Sequence, residues 1–188
     1  LIQKQKVEVE HQKELVEEKN KEITDSITYA KRLQDAILPP IDLISKCFPE
    51  SFVLFKPKDI VAGDFYWMEI VKSQNNAERV LIAAADCTGH GVPGAMVSVV
   101  CSNALNRSVK EFNLHEPGLI LDKTRDLVLE TFEKSDKDVK DGMDISLLSI
   151  EQNVKNEISI KWAGANNPLW YIQNATWHEI KANKQPIG

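Results

Sequence analysis

The sequence has 188 residues, 43% of them hydrophobic, and sets 23 basic against 28 acidic side chains for a formal charge of −5. That is enough chain for one core-bearing domain plus one extended element, and the acidic balance excludes the electrostatic footprint of a nucleic-acid or anionic-membrane binder. Three cysteines, Cys47, Cys87 and Cys101, lack CxxC spacing and so indicate neither a disulfide framework nor a zinc knuckle, which fits a reducing, cytoplasmic setting. No apolar run approaches the roughly 18–20 residues needed to span a bilayer, so no membrane insertion is expected. There is no initiator Met, and Lys184 to Gly188 read as the middle of a loop, the expectation for a piece cut from a larger sensor protein.

Residues 1–38 contain neither Pro nor Gly and are dominated by Glu, Lys and Gln, the composition of a continuous exposed helix. At about 1.5 Å per residue it would run to roughly 55 Å. Ile2, Val9, Val16, Ile23, Ala30 and Ile37 fall on one seven-residue repeat and give the helix an apolar seam. The companion row carries Gln5, Gln12 and Lys19, and turns apolar only near Ile27 and Leu33. The expectation is a parallel coiled coil that firms towards its C-terminal end and makes a homodimer. A solvated helix packed on its own domain is the alternative. Pro39-Pro40 ends the element and divides the chain into 1–38 and 39–188.

Beyond that boundary, β-branched and aromatic content predicts strands at 51–56, 65–71, 79–85, 144–150, 157–162, 169–172 and 176–180. Two helices interrupt them, at 94–109 after Pro93 and at 117–132 with Pro117 in the first turn. Strands before and after a helical pair predict an α+β layered domain.

The chemistry concentrates in two stretches. One is Asp59-Ile60-Val61-Ala62-Gly63-Asp64-Phe65-Tyr66-Trp67 and the other Ala84-Ala85-Asp86-Cys87-Thr88-Gly89-His90-Gly91. The polar break Ser73-Gln74-Asn75-Asn76-Ala77-Glu78 between them predicts a β-hairpin. Asp64 and Asp86 are equidistant from Asn75, so a hairpin centred there sets them opposite each other on one face, with Cβ atoms about 4.5–5.5 Å apart. Two carboxylates so placed repel unless one is protonated or a cation lies between them. A hard divalent cation with oxygen ligands resolves the conflict. Gly89, Gly91 and Gly94 allow the following loop to bring main-chain groups close to a ligand. His90 is a candidate acid or phosphate contact, or a packing residue; Asp59 is a candidate third acidic ligand, or a turn cap. A phosphate-binding P-loop is excluded because the GK[ST] ending is missing.

Five motifs in order carry a family resemblance: 23–39, Asp59 to Trp67, Asp86-Cys87-Thr88-Gly89-His90-Gly91-Val92-Pro93-Gly94-Ala95, Gly142-Met143-Asp144-Ile145-Ser146-Leu147, and Trp162-Ala163-Gly164-Ala165-Asn166-Asn167-Pro168. Together they resemble the SpoIIE/RsbU-like branch of the PP2C-type (PPM) metal-dependent serine/threonine phosphatases. The resemblance implies a β-sandwich flanked by helices and a two-metal Mn²⁺ or Mg²⁺ site at one end. It places Asp64 and Asp86 as acidic metal ligands and assigns a metal contact to the backbone carbonyl of Cys87 rather than to its thiol. It further implies hydrolysis of phosphoserine or phosphothreonine by metal-activated water, on a partner of the anti-sigma-factor antagonist type, under an upstream sensor module. The sequence departs from the family pattern at Ala165, where many relatives carry histidine, and at Asp144-Ile145-Ser146, where a Phe-Val-Thr-like run is usual; Asp144 is read as a strand-start residue. The family's later Asp-Gly and Asp-Asp motifs would lie past Gly188, so the C-terminal part of the domain is expected to be absent. A pseudophosphatase that binds without turnover is the first alternative. A nucleotide cyclase behind a coiled-coil linker is the second, and lacks a clear set of base-reading and transition-state Lys/Arg residues.

Overall fold

The structure, a computed structural model, describes residues 2–72, 78–133, 141–152 and 157–188. Helix α1 (Ile2–Asp35) is the predicted N-terminal rod, laced on its surface by i,i+3 and i,i+4 pairs such as Lys19–Glu22 at 2.7 Å and Lys31–Asp35 at 3.2 Å. It unwinds through two tight turns, Ile37 N–H to the Gln34 carbonyl and Leu38 N–H to the Asp35 carbonyl, as Pro39-Pro40 approaches. A short helix α2 (Ile41–Cys47), which the sequence reading missed, follows and buries Ile44. Its seven residues are too few for a periodic pattern to stand out.

Four antiparallel strands then form the main sheet in chain order: β1 (Phe65–Lys72), β2 (Glu78–Cys87), β3 (Met143–Gln152) and β4 (Ile158–Ala165). Between β2 and β3 the chain leaves for two helices, α3 (Gly91–Lys110) and α4 (Pro117–Glu133), which lie together on one face of the sheet. Phe65, Trp67, Leu81, Ala83, Ala85, Ile145 and Leu147 point at Val97, Cys101, Leu105, Ile120 and Val128 of those helices to make the core. Small buried polar residues let the helices approach, and Ser108 and Thr124 satisfy each other across them at 3.0 Å. A separate two-stranded sheet, β5 (Leu169–Gln173) and β6 (Thr176–Ile180), completes the fold.

The α+β class and the helix-flanked antiparallel sheet agree with expectation, and the described residues form one sheet of four strands and a separate one of two. The predicted strand at 51–56 is corrected. The segment is extended, with Val53 and Phe55 half-buried and Phe52 and Leu54 exposed, but it pairs with no strand among the described residues. Its β-type side chains express a preference for a half-buried surface, which requires no ladder partner. It crosses the second face of the sheet, where Phe55 meets Tyr66 edge-on with ring centroids 5.7 Å apart. The turn expected at 73–78 falls, except for Glu78, outside the described residues.

Candidate metal centre

The strands on either side of that turn have the register that the equidistance argument requires. Phe65 pairs with Ala85 and Lys72 with Glu78, so the next step along the ribbon sets Asp64 beside Asp86. The Asp86 carboxyl is pushed above its ordinary value by burial first and by its Asp64 neighbour second. Both side chains are nonetheless open to solvent on one side.

Cys87, one residue on, faces the other way. Its side chain is buried among the core residues, and the thiol is pushed far up by its hydrogen bond with Cys101 and by burial. The sulfur is therefore an inert core group. The Cys87 carbonyl, by contrast, lies against Gly63: a Cβ on Gly63 would come within 3.1 Å of that oxygen and 2.9 Å of the Gly89 carbonyl. A Cβ on Gly94 would come within 2.7 Å of the same Gly89 oxygen. Glycine at 63 and 94 is thus what allows the Asp64 segment, the loop after Asp86 and the start of α3 to meet backbone to backbone.

The other acidic candidates go elsewhere. Asp59 and His90, considered separately from sequence, face each other, with Asp59 Oδ2 3.3 Å from His90 Nδ1 at the exposed mouth of the loop. Asp144 stands at the start of β3, as read, but directly opposite Asp86, so Asp64, Asp86 and Asp144 occupy one row across three strands. Its carboxylate accepts a hydrogen bond from Asn166 Nδ2 at 2.7 Å. Among the described residues no group of three or more His, Cys, Asp or Glu side chains is gathered closely enough to hold a metal ion. The loop is braced from β3: Thr88 Oγ1 donates to Asp141 at 2.7 Å, and Thr88 N–H to the Gly142 carbonyl at 3.0 Å.

The model of the family described as stage II sporulation protein E (SpoIIE) matches residues 76–188. The chain belongs to the SpoIIE family. Asp86 and Cys87 fall inside the matched span of this SpoIIE-family chain, and Asp64 lies before it. Among solved structures it is similar to the SiaA-PP2C domain of Pseudomonas aeruginosa, at 30% identity and a TM-score of 0.75, over 90% of this chain and 64% of that one. The chain therefore spans less than two thirds of the length of the domain it resembles. No curated protein sequence matches it. The PP2C-like fold expected from the motifs is established by these matches, and no described helix is long and apolar enough to cross a membrane.

A PP2C-like domain implies a metal, and the residues at this end of the sheet fit one in kind. Asp64 and Asp86 offer hard oxygen donors side by side, and a divalent cation between them would relieve the crowding that raises the Asp86 carboxyl. Mg²⁺ and Mn²⁺ sites keep several waters, so two protein carboxylates would form one side of such a site.

Proposed function

We propose that this chain carries the Asp64–Asp86 part of a metal-dependent protein serine/threonine phosphatase, with Mn²⁺ or Mg²⁺ as cofactor. The observation that carries the reading is the strand register that sets those two aspartates side by side on one face of the ribbon. Bound cations would neutralise charge on a phosphoryl group and acidify the attacking water. The chain's own part is to aim Asp64 and Asp86 at one point and to hold the Cys87 carbonyl beside them. The core thiol of Cys87 takes no part in the chemistry.

A phosphoserine peptide incubated with the full chain and Mn²⁺ should be hydrolysed, and chelator should stop the reaction. Asp86→Asn should lower the rate on the order of a thousandfold, corresponding to the several kcal/mol that a catalytic metal supplies. Turnover that survives chelation refutes the assignment.

A pseudophosphatase that binds a phosphoprotein without turnover is the second reading. It draws support from the described residues, among which no three His, Cys, Asp or Glu side chains gather closely enough to hold a metal ion. Saturable binding of the phosphopeptide with no release of phosphate, with Mn²⁺ present, would select it. On either reading the substrate is a phosphorylated regulatory protein of the anti-sigma-factor antagonist type, α1 connects the domain to an upstream sensor module, and the exposed seam Val9, Val16 and Ile23 pairs two copies.

A further inference from the structure

Gln34 is the one buried polar residue of a helix that is otherwise exposed along almost its whole length, with 3% of its surface accessible. Its amide makes three hydrogen bonds, none of them within α1. Nε2 donates to the Ala62 carbonyl at 2.5 Å and to Ser98 Oγ at 2.9 Å, while Oε1 accepts from the Ala62 N–H at 3.0 Å. One side chain thus grips both backbone groups of Ala62, as a neighbouring strand would, and ties them to α3.

Ala62 is followed by Gly63, which lies against the carbonyls of Cys87 and Gly89, and then by Asp64. Consecutive Cα atoms are ~3.8 Å apart, so fixing both peptide groups of Ala62 leaves Asp64 little freedom. Ser98 lies one turn beyond Gly94, which is itself pressed against Gly89. The amide of Gln34 is therefore the point where α1, the Asp64 segment and α3 are joined.

We infer that Gln34 is a positioning residue through which helix α1 sets the geometry of the Asp64–Asp86 metal centre. The inference rests on the metal reading proposed above and adds the route by which the N-terminal helix reaches it. Advancing α1 by one residue moves a side chain ~1.5 Å along and about 100° around the axis, which takes the amide off Ala62 altogether.

The test is calorimetric titration of the full chain with Mn²⁺ alone, which reads the site without turnover. Gln34→Met keeps volume and helix propensity but makes none of the three bonds, and should weaken Mn²⁺ binding about tenfold. Ser98→Ala removes one bond and should weaken it about twofold to threefold. Leu38→Ala, which thins the packing of the same chain segment on the core without touching Ala62, should lower the melting temperature and leave Mn²⁺ affinity within about twofold. Wild-type-like affinity in Gln34→Met overturns the inference, as does an equal loss in Leu38→Ala. Should Gln34→Met not fold, unchanged affinity in Ser98→Ala overturns it. A wild-type chain that binds no Mn²⁺ refutes the metal reading itself, a result distinct from either.

Discussion

The two faces of the four-stranded sheet differ by a single residue of register and by everything that matters chemically. On one face Leu81, Ala83, Ala85, Cys87, Ile145 and Leu147 are sealed under α3 and α4. On the other, Ile82, Ala84 and Leu148 line a groove of about 520 Å³ together with segment 52–56, and its end carries Asp64 and Asp86. Alternation along β2 therefore hands one residue to the core and the next to the site, which is why adjacent Asp86 and Cys87 have opposite fates. A charged centre can be built against a dry core in this way without burying the charge.

The largest effect that probes this contrast is a pair of neighbouring leucines. Leu147 is fully buried and Leu148 faces the groove. Leu147→Ala should cost about 2–5 kcal/mol, as deletion of a sealed core side chain does. Leu148→Ala should cost less, about 1–2 kcal/mol, since part of its surface is already open to the groove. Urea unfolding of both variants measures the asymmetry, and equal losses would mean that the groove face is also closed.

A smaller effect separates the two fates at Asp86. Its carboxyl is pushed up in the folded metal-free chain, so the folded state holds that proton more tightly than the unfolded state does. The resulting stability is fully present below the ordinary value of 3.8 and is lost as pH rises through the elevated one. In chelator, the melting temperature of Asp86→Asn should therefore gain on that of the wild type as pH rises from about 3.5 to 7. A difference that is flat with pH would mean that folding does not raise the Asp86 carboxyl. The comparison is made between variants because the carboxylates away from this pair contribute to both curves alike.

How much of this was legible follows from chain separation. The Asp64–Asp86 meeting was readable because a short polar break joins β1 to β2, and equidistance then fixes the register. Asp144 opposite Asp86 was not readable, because β3 returns after α3 and α4 and no local arithmetic counts across such an excursion. Asp59 and His90 were each singled out, but loop residues carry no periodicity that would announce their pairing. Gln34 was hidden for a third reason. It closes a helix whose Glu, Lys and Gln content reads as solvated, and only the docking of the last turns of α1 gives it partners. The segment 51–56 shows the reverse failure, in which a strand-like pattern was satisfied by lying over a sheet instead of joining one.

The smallest effect on the fold belongs to the part of α1 that touches nothing. Val16 and Ile23 are 57% and 56% exposed on the predicted seam, so replacing both with Lys should change the unfolding free energy of one domain by no more than about 0.5 kcal/mol. Assembly should respond quite differently, because a paired seam would then place lysine against lysine at two successive levels of the heptad. Sedimentation should give a dimer for the parent chain and a monomer of unchanged melting behaviour for Val16→Lys/Ile23→Lys. A parent chain that sediments as a monomer removes the coiled coil; since Gln34 docks within a single chain, it would leave the grip on Ala62 intact.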